Sequence, residues 1–362
     1  MHLNNLVSMS NRYGSNADYV LAGGGNTSYK DEQHLYVKAS GTALADIMAE
    51  GFVKMDRAVL DRIFERAYSQ NAQEREAEVL QDMLQARCLG EEAKRPSVEA
   101  LLHHILPWAY VLHVHPASVN GMACGENGAE ACARLFPGAV WIEQIMPGYI
   151  LAKETRSLIK NDTRLLFLEN HGVFIGGQNV EDIDGAVVQM DAALDAVIAR
   201  RPDFSPCDYD SDKAQRFILA VQDVVDDCCA FHTNREVMRA VSSREIFARV
   251  SPAFTPDHMV YCNDEALFIE SEDQLAEKAA EYQARNGKPP KIIGLKDIGF
   301  FACGGGEKEA GIAAAVFLDA LKVYVYGESF GGARPMNDAL VREINNWEVE
   351  RYRKSVSFGG GK

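Results

Sequence analysis

The sequence predicts an α/β protein in two parts. From residue 17 to about residue 200, short apolar runs typical of strands mix with stretches whose apolar residues recur at helical spacing. Residues 200–212 then carry two prolines and four aspartates, the composition of a linker. Beyond them, residues 291–327 predict strand, strand, glycine loop and helix. We therefore expect one domain over residues 1–205 and a smaller C-terminal α/β accessory region over residues 206–362.

The elements of the first domain follow from local patterns. Residues 18–30 (DYVLAGGGNTSYK) predict a strand, a glycine turn and a second strand. Residues 34–47 (HLYVKASGTALADI) predict a strand, a loop and a helix. The remaining segments are predicted to be helical over 61–93 and 96–108, extended over 109–116 and 164–177, and helical over 180–200.

Composition limits the classes of protein that this chain can be. Of its 362 residues, 47% are hydrophobic and 25% are charged, as in ordinary soluble globular proteins. The formal net charge of -15 argues against nonspecific nucleic-acid binding, and no apolar run approaches the roughly 20 residues of a membrane helix. The N-terminal residues lack the pattern of a secretory signal. The eight cysteines form no C-x-x-C pair, so we expect free thiols and a cytoplasmic location.

His113 lies near the end of the apolar run of residues 110–114, and His115 directly follows that run. In a strand, Val111, His113 and His115 share one face, and the alternate residues form the packed face. A lone histidine in such a strand is typical of a hydrogen-bonded core residue. Two on one face instead present nitrogens to a common point, as a zinc site requires.

His171 is the best candidate for a third metal ligand. It follows an apolar run and precedes Gly172, where the backbone can bend at a strand end. Three histidines with an open position are typical of catalytic zinc. The alternative is that His171 caps a turn. His103 and His104 compete as ligands, but both are expected in the middle of a helix, one facing the core and the other solvent.

Glu99 is the candidate acid/base residue. Pro96 and Ser97 predict the start of a helix, with Ser97 as its N-cap. One interpretation of Glu99 is a carboxylate stabilised by the helix dipole. The other is a group that moves protons beside a metal. These residues by themselves leave both interpretations open.

Two loops of small residues, GGGNTS (23–28) and SGTAL (40–44), expose amides and hydroxyls of the kind that cradle phosphate. The first loop matches neither a Walker loop nor a dinucleotide fingerprint, and ordinary tight turns are the alternative. Lys30 and Lys38 are either the positive charge for a phosphate or solvated strand residues. A third glycine loop, residues 300–311, opens a helix and could hold an anion at the helix N-terminus, but a structural turn is favoured. It lacks the full dinucleotide pattern, so nicotinamide cofactors are not expected to bind.

Five motifs, GGGNTS, SGTAL, PSVE, HVHP and ENHGVF, occur in the order and approximate spacing of the class II aldolase/adducin family, which the chain resembles. The resemblance is closest to the aldolase half of the bifunctional rhamnulose-1-phosphate aldolase/lactaldehyde dehydrogenase proteins. It implies a three-layer α/β/α catalytic domain, a homotetramer and zinc between subunits. The sequence lacks the dehydrogenase half, so we do not expect this chain to oxidise the aldehyde.

The same resemblance assigns roles to particular residues. It implies that the metal ligands are His113, His115 and His171, and that Glu99 is the acid/base. The implied phosphate pocket is formed by Gly25, Asn26, Ser40, Gly41 and Ser97. Val98 occupies a position where relatives such as fuculose-phosphate aldolase have a second serine, so one phosphate hydroxyl is missing.

The resulting hypothesis is an aldolase, dependent on zinc or another divalent metal, that cleaves a ketose 1-phosphate such as rhamnulose 1-phosphate to dihydroxyacetone phosphate and an aldehyde. The alternatives are a metal-dependent epimerase or decarboxylase of a phosphorylated sugar or sugar acid, and an adducin-like interaction module without chemistry. The expected partners are a small phosphorylated sugar and further copies of the chain, without nucleic acid or membrane. We expect the C-terminal region to dock on the catalytic domain without supplying a catalytic group.

Overall fold

The computed structural model describes residues 2–225 and 227–346, which contain a seven-stranded and a four-stranded sheet. The strands of the larger sheet are β1 (Asn26–Lys30), β2 (His34–Lys38), β3 (Phe52–Asp56), β4 (Tyr110–Val114), β5 (Val140–Ile142), β6 (Leu165–Leu168) and β7 (Gly172–Gly177). The helices around it are α1 (His2–Gly14), α2 (Arg57–Ile63), α3 (Ala72–Gln85), α4 (Ala100–Ile105), α5 (Ala117–Ala123), α6 (Gly128–Leu135), α7 (Tyr149–Leu158) and α8 (Val180–Asp195).

Strand β4 lies at the centre of the larger sheet, whose order is β3-β2-β1-β4-β7-β6-β5. Neighbouring strands are antiparallel except for β5 and β6, which are parallel. His113 on β4 pairs with Asn26 on β1 and with Phe174 on β7. Since β1 and β7 both begin beside the end of β4, the loops that precede them meet at one edge of the sheet.

Helices cover both faces of this sheet, which confirms the predicted three-layer α/β/α arrangement. On one face, Tyr110, Leu112 and Val114 pack against α1, α5, α6 and α8. On the other face, Val111 belongs to a core built with α2, α3, α4 and α7. All five residues of β4 are buried. The expectation that only one face of this strand is packed was therefore wrong.

The C-terminal part of the chain builds the smaller sheet, in the order β8-β11-β10-β9. Its strands are β8 (Cys228–His232), β9 (Leu267–Ile269), β10 (Ile292–Leu295) and β11 (Gly299–Gly304). Its helices are α9 (Ser211–Val225), α10 (Arg235–Ala240), α11 (Arg244–Val250), α12 (Pro256–Cys262), α13 (Leu275–Asn286), α14 (Glu307–Gly327) and α15 (Asp338–Asn346). The division into residues 1–205 and 206–362 stays a prediction, and residues 226 and 347–362 lie outside the described part of the chain.

Helix α14 joins the two sheets. It packs on β11 of the smaller sheet and on α5 of the larger one, through a shared apolar core. The close approach depends on Gly121, since a Cβ there would lie 2.4 Å from the Cβ of Tyr326. By length and composition, the stretch Glu307–Phe330 also passes as a membrane span, but 56% of its apolar window is buried inside the protein. This burial is typical of the core helix of a globular protein.

Several predicted boundaries were wrong for local reasons. Residues 18–22 form turns rather than a strand, because the amides of Tyr19 and Val20 both bond to the Asn16 carbonyl. Residues 43–47 form no helix. The helical stretch 61–93 is divided into α2 and α3, since Asn71 caps a new helix at that point. The strand, strand, glycine loop and helix order at 291–327 is confirmed by β10, β11 and α14.

Candidate metal centre and its pocket

Three histidines converge at the end of β4. His113 is on the strand, His115 follows it, and His171 lies in the turn before β7. One ring nitrogen from each lies within 4.8 Å of the other two, and this trio is a candidate metal site in the described part of the chain. The structure thus brings together the three residues that the sequence singled out.

His113 is held in one orientation by its neighbours on β7. Its ring stacks on Phe174 with centroids 4.0 Å apart. Its Nδ1 lies 3.0 Å from the carbonyl oxygen of Val173. Because a carbonyl only accepts, Nδ1 carries the proton and Nε2 presents a lone pair.

The rings of His115 and His113 face each other in an arrangement that favours a cation between them. Its Nδ1 lies 2.6 Å from Oδ2 of Asp257, which accepts the Nδ1 proton. Its Nε2 lies 2.9 Å from Nε2 of His113. With both Nδ1 atoms serving as donors, two Nε2 lone pairs point at each other, and only a proton or a metal ion between them removes the repulsion.

Glu99 adds a carboxylate to the same point. Its Oε1 lies 3.3 Å from Nε2 of His113 and 3.4 Å from Nε2 of His171. Within the described residues this buried oxygen has no hydrogen-bond partner. An unsatisfied buried carboxylate oxygen is costly, so its position beside imidazole nitrogens fits a divalent ion. Imidazole nitrogens are ligands that zinc and similar divalent metals take, and a carboxylate beside them stabilises the bound cation by its charge.

Burial sets the protonation of these groups. It lowers the pKa of His113 and lowers the pKa of His171 to about 3, against the opposing effect of the Glu99 carboxylate. Burial alone would raise the pKa of Glu99, but the opposing effects of its neighbours, including the Asn26 amide that donates to it, hold that pKa well below its ordinary value. Neutral imidazoles beside an ionised carboxylate favour a bound cation.

A buried polar chain that the sequence did not predict fixes Glu99. The side-chain amide of Asn26 donates to Oε2 of Glu99 at 2.6 Å. The Asn26 carbonyl oxygen accepts from Nε2 of His103, whose Nδ1 lies 2.7 Å from the Ser28 hydroxyl. His103 therefore orients Glu99 through Asn26. The only signal in the sequence was that His103 lies four residues after Glu99, a spacing that places two side chains on the same side of a helix.

Two expectations near Glu99 were wrong. Helix α4 begins at Ala100 with Glu99, not Ser97, at the N-cap position, because Ser97 to Ala100 first form a turn. The Ser97 hydroxyl accepts instead from the Glu99 amide at 3.3 Å. His104 does not face solvent: its ring is buried and its Nε2 lies 2.9 Å from Asp61.

Gly172 is required by the packing of His115 rather than by a backbone bend. A Cβ on Gly172 would lie 2.6 Å from both Cδ2 of His115 and the Val114 carbonyl oxygen. The left-handed residue of this turn is Asn170, with φ of 55°. The glycine therefore makes room for a candidate metal ligand.

A cavity of about 310 Å³ opens beside the three histidines. The predicted phosphate residues all lie in or beside it: its lining includes Gly25, Asn26, Ser40, Gly41 and Ser97. Glu99, His115 and His171 line the same cavity. Lys38 also lines it, whereas Lys30 points elsewhere and donates to the His103 carbonyl at 2.7 Å. Burial lowers the pKa of Lys30 well below its ordinary value.

The C-terminal part of the chain closes one side of this cavity. Pro256 at the start of α12 and Lys308 and Ile312 at the start of α14 belong to its lining. Lys308 is exposed and follows the third glycine loop, whose Gly305 is also exposed. The loop predicted as a structural turn thus lies next to the cavity.

The chain belongs to the class II aldolase and adducin family. Residues 4–197 match the family model for the class II aldolase and adducin N-terminal domain. This region contains the three histidines, Glu99 and both loops of small residues. The match supports a class II aldolase, a carbon–carbon lyase of a metal-dependent kind.

The individual proteins that are similar to this chain have low sequence identity to it. The Bacillus subtilis (strain 168) protein named uncharacterized oxidoreductase YuxG is 23% identical to this chain over an alignment of 405 positions. The alignment covers 97% of this chain and 58% of that protein. The chain thus spans little more than half of its length. A solved N-terminal class II aldolase domain from Thermoplasma acidophilum is 24% identical with a TM-score of 0.48, over 54% of this chain and 93% of that one. The L-fuculose-1-phosphate aldolase from Thermus thermophilus is 14% identical with a TM-score of 0.37, over 54% and 91%.

Proposed function

We propose that this chain is an aldolase that uses zinc or another divalent metal to cleave a ketose 1-phosphate, such as rhamnulose 1-phosphate, to dihydroxyacetone phosphate and an aldehyde. The observation that carries the proposal is the convergence of three imidazoles and the Glu99 carboxylate, of which His115, His171 and Glu99 line a cavity of about 310 Å³. A retro-aldol reaction needs an electrophile at the carbonyl and a group that moves a proton. The three histidines would hold the electrophile, and Glu99 would move the proton.

His113, His115 and His171 would hold the metal. When bound, a divalent ion supplies Lewis-acid polarisation of the substrate oxygens beside the bond that breaks. The chain's own contribution is orientation, because Val173 and Asp257 accept the Nδ1 protons of two of the rings. Holding the Nδ1 protons fixes which nitrogen faces the ion.

Glu99 would transfer the proton at its free oxygen. Oε2 is occupied by the Asn26 amide, and Oε1 faces the metal site. The hydrogen bonds that link His103, Asn26 and Glu99 keep the carboxylate in place during turnover. Glu99 lines the cavity, so a substrate bound there lies within its reach.

The phosphate would bind at the part of the cavity lined by small residues. Gly25 and Gly41 have positive φ of 64° and 86°, a conformation that turns backbone amides toward a bound anion. Ser40 and Ser97 offer hydroxyls, and Lys38 supplies positive charge. Asn26 also lines this part of the cavity, but its side-chain amide donates to Glu99 rather than to the phosphate.

The test is a retro-aldol screen of pentulose and hexulose 1-phosphates, with release of dihydroxyacetone phosphate coupled to a reporter. We expect one or a few of the substrates to be cleaved, with activity that a chelator abolishes and added zinc restores. The dephosphorylated ketoses are the matched control and should be poor substrates. Epimerisation or decarboxylation of a phosphorylated sugar or sugar acid, without cleavage to dihydroxyacetone phosphate, would replace this proposal with the corresponding alternative.

The assembly and location follow the same proposal. We propose a homotetramer in the cytoplasm, with residues 1–205 as the catalytic domain and residues 206–362 as the accessory region. The eight cysteines are all free, as a reducing compartment requires. Sedimentation of the full chain measures the oligomeric state.

A further inference from the structure

A carboxylate from the C-terminal part of the chain contacts a candidate metal ligand. Asp257 lies in the first turn of α12, outside the residues 4–197 that match the family model. Its Oδ2 lies 2.6 Å from Nδ1 of His115, across a sequence separation of 142 residues. Asp257 is 8% exposed and His115 is partly buried, so little of this contact is open to water. A short, buried bond from an imidazole to a carboxylate is among the strong hydrogen bonds in proteins.

The first glycine loop is built around this contact. A Cβ on Gly24 would lie 3.0 Å from Oδ2 of Asp257 and 3.4 Å from Nδ1 of His115. The Gly23 amide donates to the Tyr261 hydroxyl of the same helix at 3.3 Å. Helix α12 therefore packs closely against both the first glycine loop and the imidazole ring of His115.

The turn that carries His171 is tied to the C-terminal part as well. The side-chain amide of Asn170 donates to the carbonyl oxygens of Phe254 and Arg334, each at 2.9 Å. Phe254 lies two residues before α12. Two of the three candidate ligands thus depend for their placement on residues beyond position 250.

We propose that Asp257 is a positioning residue of the metal centre, which makes α12 an integral part of the site. The proposal rests on the metal centre described under the proposed function. By accepting the Nδ1 proton, Asp257 fixes the His115 tautomer, directs Nε2 to the ion and increases the basicity of that nitrogen. The C-terminal region then does more than dock, because it completes the environment of a ligand that lies in another part of the fold.

The next residue along α12 offers a matched control. His258 and Asp319 form a second buried pair, with Nε2 and Oδ2 3.4 Å apart, and both residues belong to the C-terminal part. This pair has the same chemistry and similar burial but contacts none of the three candidate ligands. Asp319→Asn therefore reports the effect of weakening a buried histidine–aspartate pair that makes no direct contact with a candidate ligand.

The experiment measures metal affinity of the full chain without any substrate. The wild-type chain, Asp257→Asn, Asp257→Ala and Asp319→Asn are stripped of metal and titrated with zinc against a competing chelator. Cobalt-substituted samples provide a second readout in their visible absorption. Loss of such a partner of a metal-ligating histidine typically costs about 10- to 100-fold in affinity. We expect that loss for Asp257→Ala, a smaller one for Asp257→Asn and none for Asp319→Asn, with an altered cobalt spectrum only at position 257.

The outcomes separate this inference from the proposed function. Wild-type affinity and an unchanged cobalt spectrum in folded Asp257→Ala would overturn the inference and leave the metal centre intact. An equal loss in Asp319→Asn would also overturn it, because the effect would then be structural. If Asp257→Ala does not fold, Asp257→Asn decides by the same criteria. A wild-type chain that binds no metal would overturn both proposals.

Discussion

The two regions of the molecule make different contributions to the candidate site. The seven-stranded region supplies His113, His115, His171 and Glu99, all beside one strand end. The described part of the four-stranded region supplies none of these groups, but it provides Asp257 and one side of the cavity. The comparison teaches that ligands and their orientation can come from separate parts of a chain. Ligands are recognisable as short motifs, whereas the residue that orients one of them follows no motif.

The glycine loops differ in the same way. The loop of residues 23–25 is largely buried, lines the cavity and is fitted to Asp257 and His115. In the loop of residues 304–306, Gly305 is exposed and a Cβ on Gly306 would have no atom within 4 Å. The first loop is therefore constrained by the site, and the second tolerates change at its tip.

Removing a ligand from the first region is expected to have the largest effect. His113→Ala should lose metal and activity together, because one of three protein ligands is gone. Metal content after gel filtration and retro-aldol turnover check this. His104→Ala is the matched control, since that ring is also buried but bonds to Asp61, and it should keep its metal. Full metal content in His113→Ala would show that the ion binds elsewhere.

The second prediction separates proton transfer from metal binding. Glu99→Gln keeps the size and the Asn26 contact but cannot accept a proton. Turnover should fall by roughly 100- to 10,000-fold, while most of the metal is retained. If Glu99→Gln lost metal as completely as His113→Ala, Glu99 would be a ligand. Unchanged turnover would return Glu99 to the role of a charge at the start of a helix.

The smallest predicted effect concerns packing around His115. Gly172→Ala places a Cβ 2.6 Å from the ring and should reduce the free energy of unfolding by about 1–3 kcal/mol. Gly185→Ala, in the exposed middle of α8 with no atom near the added Cβ, should raise it by roughly 0.5–1 kcal/mol. Denaturant unfolding of the metal-free chain measures both. Equal effects of the same sign would contradict the role assigned to Gly172.

The residues themselves predicted the strand that carries His113 and the gathering of the three histidines, whereas the layers of helices on both faces of the sheet were predicted only by the resemblance to the family. The first two features have strong local signals, since strand alternation and short motifs survive without knowledge of the fold. The sequence did not predict the turns at residues 18–22, where hydrogen bonds to Asn16 override an apolar run. Nor did it predict the Asp257 contact, because a partner 142 residues away has no local pattern. The burial of His104 also depended on tertiary packing.

The stoichiometry of metal binding tests the central claim most directly. The full chain is stripped with a chelator, titrated with zinc and assayed for retro-aldol cleavage at each step. The account predicts one zinc per chain and activity that rises in proportion to bound zinc. Binding of less than about a tenth of an equivalent, with no activity restored by excess zinc, would contradict it.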